Sequence, residues 1–302
     1  AFGLQILAGS ADMCAMTMAL AFLLFLCQMR ATAFAQMLPK FGAALVSLLL
    51  AACLGAATWL TVGEIAMSSQ RASLPEYTRT FWSLHPGLVA DLLVPLQLGS
   101  LSITSELRTV LFEGREPFVR SLYLGPLLLP LFISGLLSRD IKVQYRLFAG
   151  VALVAAVLLA LGKFSPVYGF LTSLVPPLRI FRYPSKLIIP ISLVMAVVAG
   201  VAVSALGGER ARAAAKTVTL LLVALHIGLL LRFSQILPHV LSSPGTPSFR
   251  LTESHLFARL LMSLGALLLL GLALGIGRHR ALVLAAIAGA AATFFLNSGI
   301  NP

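Results

Sequence analysis

The sequence predicts an all-α polytopic membrane protein with about eight transmembrane helices, organised as one transmembrane domain over residues 1–302. Three observations predict it. Of the 302 residues, 59% are hydrophobic and only 11% are charged, with a mean hydropathy of +0.98, whereas a soluble domain sits near ~45–50% apolar and ~25% charged. The apolar residues fall into blocks about as long as the ~20 residues that cross ~30 Å of hydrocarbon. The blocks are rich in Leu, Ala, Val and Gly without alternation, which excludes a β-barrel, whose strands alternate lumen and lipid faces.

In chain order the blocks cover residues 11–28, 41–62, 121–138, 147–162, 187–206, 217–236, 257–276 and 281–296. Basic residues mark alternate connections. Arg30 and Lys40 follow the first block, and Arg139, Lys142 and Arg146 the third. Arg210, Arg212 and Lys216 follow the fifth, and Arg278 and Arg280 the seventh. Only Asp140 and Glu209 oppose them in these short connections, so the positive-inside rule makes them cytoplasmic. An even number of helices then puts both ends of this chain outside. The first residue is Ala1 and the last four are GINP, so the chain is expected to be a fragment of a longer protein.

Three longer segments fall on the outer side, at 63–120, 163–186 and 237–256. In the first, Ser73 and Glu76 of SLPE are spaced to cap a short helix. HPGLVADLLVPLQLG at 85–99 has apolar residues at helical spacing until Pro95 interrupts it, with Asp91 and His85 forming a polar side. Such a helix is too short to span and is expected to lie in the outer interface.

Several functional classes lack their signatures. Cys14, Cys27 and Cys53 lie in or beside apolar blocks without metal-ligand spacing, and read as small buried hydrophobes. The five histidines are scattered, and no HExxH, CxxC or glycine-rich phosphate loop is present. The net charge of +12 belongs to membrane anchors facing anionic headgroups, so membrane lipids rather than nucleic acid are the expected partners.

The most informative segment is LVPPLRIFRYPSK at 174–186, on the outer side before the fifth block. Pro176 and Pro177 favour an extended backbone, and Pro184 suits the first turn of the next helix, where its missing N–H costs nothing. Arg179, Arg182, Tyr183 and Lys186 are thereby presented at the mouth of the bundle. One reading makes them interfacial anchors, with the aromatics in the headgroup belt and the cations snorkelling. The other notes that three cations beside a helix start oppose the charge bias that orients the protein. A helix N-terminus also prefers an anion, and a phosphate or pyrophosphate held by guanidinium groups would satisfy both.

LVPPLRIFRYPSK resembles the pattern P-x-x-x-x-F-R-x-P-x-K/R of YfhO-type bacterial membrane proteins, members of the GT-C glycosyltransferase superfamily. FGLQILAGSAD at 2–12 is similar to that family's LQ-x-LAG segment. WLTVGEIAMSSQR at 59–71 resembles its P-x-x-E-x-x-x-x-S-x-R pattern, with Glu64 and Arg71 retained and Thr61 in place of the proline. ADLLVPLQLG at 90–99, YLGPLLLPL at 123–131, LGKFSPVY at 161–168 and GINP at 299–302 follow in the family's order. The resemblance implies a GT-C-like fold in the bacterial cytoplasmic membrane. It also implies transfer of a sugar from a polyprenyl-phosphate carrier to an extracytoplasmic acceptor. The catalytic base of such enzymes is an acidic residue in the outer loop after the first helix, which here would fall upstream of residue 1, so the resemblance names no catalytic residue. No cofactor is visible in the sequence; a divalent metal would have to enter through that upstream region.

Other candidates carry two readings each. Asp12, at the outer start of the first block, is a helix-capping carboxylate or lines the donor site. Glu64, at the outer end of the second block, needs a partner such as Arg71 or Arg182, and is either a structural ion pair or a site residue. Asp91 and His85 form a solvated polar face, or belong to the site. His226 lies inside an apolar block, where an isolated histidine is a hydrogen-bonded packing residue or a ligand. The alternative to an enzyme is a non-catalytic membrane subunit, or a degenerate GT-C relative, packing with partner subunits. A transporter is disfavoured, because apart from His226 the blocks hold almost no ionisable residues.

Overall fold

The computed structural model describes residues 11–29, 34–68, 75–175, 178–179, 182–242, 244, 247–276, 285, 287–289 and 291. In chain order its α-helices are α1 (Ala11–Met29), α2 (Phe34–Leu54), α3 (Ala56–Ser68), α4 (Glu76–Arg79), α5 (Ser105–Phe112) and α6 (Leu128–Leu137). These are followed by α7 (Val143–Ala160), α8 (Pro166–Leu174), α9 (Ile188–Ala205), α10 (Glu209–Leu231), α11 (Phe233–Val240) and α12 (Pro247–Ile276). The protein is an all-α membrane protein.

The predicted blocks map onto this order. Four stretches are long and apolar enough to cross a bilayer: Val143–Ala160, Pro184–Ala205, Glu209–Leu231 and Thr252–Ile276. The second block, 41–62, is instead a pair of helices, Phe41–Leu54 and Ala56–Ile65, bent by 64°. The break is at Gly55, a residue type found at sharp helix kinks. The first and third blocks are the shorter apolar helices Met13–Gln28 and Leu128–Leu137. The eighth, 281–296, lies almost wholly outside the described residues.

The chain divides into two compact units, residues 1–83 with 142–191 and residues 84–141 with 192–302. In the first unit α1 packs on α7. The buried face of α7 is built from Ala149, Ala152, Ala156 and Ala160. Small side chains at three- and four-residue spacing let two backbones approach closely, the usual basis of helix association in hydrocarbon. Val143, Val151 and Val154 of the same helix are exposed, so both faces are apolar, as a lipid-surrounded helix requires.

In the second unit α10 packs on both α6 and α12. Along α12 the large buried side chains and Ser263 fall at Leu256, Leu260, Ser263, Leu267, Leu270 and Leu274, with Ala266 and Ala273 buried beside them. This alternation of four- and three-residue steps is the 3.5-residue seam of left-handed helix packing. The facing helix α10 buries Ala211, Ala215, Thr219, Leu222 and His226. At Gly135 of α6 an added Cβ would lie 2.9 Å from Val198 Cγ1 and 3.1 Å from Ala202 Cβ, so that crossing admits only glycine without displacement. On α9, which carries Val198 and Ala202, Leu193 is 67% exposed, a surface suited to hydrocarbon rather than water.

Two expectations about short helices change. Glu76 opens α4, but its N-cap is Pro75 and no side chain caps it; Ser73 lies outside the described residues. The stretch 85–99 is not one helix. It forms a 3-10 turn at Pro86–Leu92, breaks, and forms another at Leu98–Ser100. Pro95 has no N–H to continue the ladder, and Gln97 turns into the left-handed region with φ 50°. His85 is the cap of the first turn, its Nδ1 accepting from the Gly87 amide at 3.1 Å. The segment is anchored further on, where Thr104 N donates to Val240 O and Ser242 N to Ser102 O.

Candidate functional site

The cation-rich segment singled out in the sequence belongs to the first unit, where its backbone is latched to residues 79–83. Tyr183 N donates to Arg79 O at 3.3 Å and Ser185 N to Trp82 O at 3.3 Å. Both partners of this latch depart from ordinary backbone geometry, with φ 52° at Trp82 and 66° at Tyr183. Positive φ in bulky residues is costly and persists only where surrounding contacts enforce it. The two side chains meet edge-on, with ring centroids 4.5 Å apart, a favoured aromatic geometry.

A second contact fastens the latch from below. Ser83 Oγ donates to Thr80 O at 2.6 Å and accepts from Lys163 N at 3.1 Å. Gly162, at φ +50°, lets the chain pass, since a Cβ there would overlap Ser83 Oγ. Pro184 then opens the 3-10 turn that leads into α9, as its fixed φ and missing donor favour.

Around Tyr183 two of the predicted cations converge. The Arg182 guanidinium carbon is 5.1 Å from the ring centroid and Lys186 Nζ is 4.9 Å from it, within cation–π range. Arg179 is placed differently, its Nε donating to Thr172 O at 3.0 Å near the end of α8. A cation at a helix C-terminus is satisfied by the carbonyls there, so part of its bonding capacity is already used.

Behind Arg182 and Tyr183 lies a cavity of about 240 Å³. Its walls include Ala15 of α1, Leu159 of α7, and Tyr168 and Leu171 of α8. It is an apolar hole with phenol and guanidinium groups at its boundary, a shape and chemistry suited to a hydrocarbon chain bearing an anionic end. Burial pushes the Tyr168 phenol up from its ordinary pKa; the Arg79 charge opposes that shift and Glu76 adds to it.

Of the remaining predicted residues, Glu64 does not join this cluster. Glu64 is exposed on α3 and forms no ion pair with Arg182, while Arg71 lies outside the described residues. The side chain of Asp12 also lies outside them. Asp91 and His85 belong to the second unit, and the solvated polar face expected of them is corrected there, because Asp91 is only 2% exposed. Burial pushes its carboxyl up to about 7, against the backbone amides of Leu122, Gln97 and Leu98, which favour the charged form. Its Oδ1 has no hydrogen-bond partner among the described residues. The break at Pro95 carries the chain back over the carboxylate, which a continuous helix would have left outside.

His226 is a packing residue. It is 0% exposed and bonded at both ring nitrogens. Among the described residues no group of three His, Cys, Asp or Glu side chains is placed to hold a metal ion. Sequence reasoning assigned no role to Arg79, Trp82 or Tyr168: Arg79 and Trp82 lie about a hundred residues from Tyr183 and carry no motif, and Tyr168 was quoted only as the end of LGKFSPVY. No protein-family model matches this chain, and no curated protein or solved structure matches it either.

Proposed function

We propose that this chain is a GT-C-like membrane glycosyltransferase of the bacterial cytoplasmic membrane that binds a polyprenyl-phosphate sugar donor at Arg182, Tyr183 and Lys186. One observation carries the reading: an apolar cavity is lined by Arg182 and Tyr183, and a second cation, Lys186, lies over the same aromatic ring. A polyprenyl phosphate has the two matching parts, a hydrocarbon that seeks the cavity and an anion that seeks the cations. The resemblance of residues 174–186 to the YfhO-type signature supplies the reaction.

In that reaction the bond between the sugar's anomeric carbon and the carrier phosphate breaks, and a bond to an acceptor oxygen forms. The acceptor's proton passes to a base that these residues do not supply. The departing phosphate carries the developing negative charge, and fixed positive groups beside it lower the barrier. Tyr183 holds Arg182 and Lys186 in place, and the Trp82 edge holds Tyr183. The acceptor approaches from the extracytoplasmic side, where the positive-inside pattern puts residues 163–186.

Binding of a polyprenyl monophosphate to the protein in lipid nanodiscs tests this. Arg182→Ala is expected to weaken it by about tenfold or more, the scale of one lost charge-assisted contact, with expression unchanged. Equal binding by Arg182→Ala removes the proposal. Binding without sugar transfer by the full-length protein would favour the non-catalytic subunit.

A further inference from the structure

We infer that Arg79 is a binding residue for the anionic headgroup of a ligand whose apolar part fills the cavity of the first unit, with Tyr168 beside it. The inference rests on the lipid-phosphate reading and extends it to Arg79, which no sequence motif marks. Arg79 ends the short helix α4, and its carbonyl accepts from the amide of Tyr183, a cavity-lining residue. The backbone latch therefore fixes the guanidinium's root beside the cavity.

The head of the side chain is what asks for a ligand. Nε and Nη1 are shielded from solvent and have no hydrogen-bond partner among the described residues. The nearest acidic residue in sequence, Glu76 of the same helix, is exposed and forms no ion pair with Arg79. Buried guanidinium donors are normally matched by carboxylate or phosphate oxygens, since desolvating an unmatched charge is costly. The charge of Arg79 is felt at the phenol of Tyr168, and Tyr168 lines the cavity that Arg182 and Tyr183 also bound. A phosphate at that end of the cavity gives Arg79 the acceptors it lacks, and can take a hydrogen bond from the Tyr168 hydroxyl as well.

The same anion chemistry could come from a lipid headgroup or from free phosphate, and three probes separate them. A polyprenyl monophosphate, the matching polyprenol without phosphate, and inorganic phosphate are titrated onto the protein in nanodiscs. Arg79→Gln is expected to weaken the monophosphate by about tenfold or more while leaving polyprenol binding at the wild-type level. Arg79→Lys, which keeps the charge but not the planar fork, is expected to fall between. Unchanged monophosphate binding in Arg79→Gln, with loss in Arg182→Ala, overturns the role of Arg79 and leaves the lipid-phosphate reading standing. Equal losses for monophosphate and polyprenol also overturn it, since they indicate a merely structural residue. Wild-type protein that binds the monophosphate no better than the polyprenol removes both. Inorganic phosphate competing as well as the lipid, and losing affinity in Arg79→Gln, supports Arg79 as an anion ligand while removing the lipid as its source.

Discussion

Ser263 Oγ lies 2.8 Å from His226 Nε2, and the bonds on either side of that pair give it a direction. His226 Nδ1 faces Leu222 O at 2.8 Å. A carbonyl can only accept, so Nδ1 carries the proton of the neutral ring. Nε2 is then an acceptor, Ser263 donates to it, and the serine oxygen is left to accept from the Tyr123 hydroxyl at 2.7 Å. The donors run from Tyr123 through Ser263 and His226 to the accepting Leu222 O, with every one of these residues buried. This polar thread sits at a position of the α12 seam where leucine otherwise recurs, and ties together segments distant in sequence.

That direction predicts unequal costs. Ser263→Ala strands both the Tyr123 hydroxyl and His226 Nε2, and is expected to cost about 1–3 kcal/mol. Tyr123→Phe leaves Ser263 still donating to His226 and is expected to cost less, nearer the ~0.6 kcal/mol typical of hydrogen bonds between membrane helices. Thermal or denaturant unfolding in detergent ranks the two variants. The reverse order would show that Ser263 is not the link joining Tyr123 to His226.

Gly162→Ala is expected to open the latch that positions Tyr183. The left-handed backbone alone costs roughly 1–2 kcal/mol for a residue with a Cβ, and the new Cβ would displace Ser83, breaking its bond to Lys163 N. The two latched segments carry Arg79 and Tyr183. Lipid-phosphate binding should therefore fall together with the thermal midpoint, which nanodisc titration and unfolding measure on the same sample.

Asp91 makes stability fall as pH rises. Its carboxyl goes from an ordinary 3.8 to about 7 on burial, so between those values the folded state holds a proton that the unfolded state has lost. The stabilisation is complete below the lower value and is lost as pH climbs through the upper one. At ~1.4 kcal/mol per pKa unit this amounts to roughly 4 kcal/mol at most. Asp91→Asn cannot ionise and should flatten the profile, becoming the more stable of the two above about pH 8. Parallel profiles for the two proteins would place the titration elsewhere.

Membrane character was legible because hydropathy accumulates along the chain. A block such as 187–206 needs hydrocarbon whatever lies beside it, and the structure has a span there. The 3-10 break at Pro95 was signalled by the proline, but its consequence was not. Whether Asp91 faces solvent depends on where residues 97–98 and 122 return, and no local pattern encodes that path. His226 illustrates the intermediate case: an isolated intramembrane histidine announces a hydrogen bond, yet its partner Ser263 is an ordinary serine among leucines.

The cation cluster divides in the same way. RYPSK announced Arg182, Tyr183 and Lys186, since Pro184 dictates a helix start and the cations stand beside it. It could not announce Arg79, whose environment comes from a backbone bond to Tyr183 about a hundred residues away. By itself the sequence determined the membrane class, the order of most apolar helices and the turn that opens α9, because these follow from short-range hydropathy and proline geometry. Only the tertiary structure decided which buried polar groups find partners among the described residues and which, like two nitrogens of Arg79 and one oxygen of Asp91, do not. Hydrogen bonding and desolvation are settled by which atoms meet in space, and that depends on how distant segments pack.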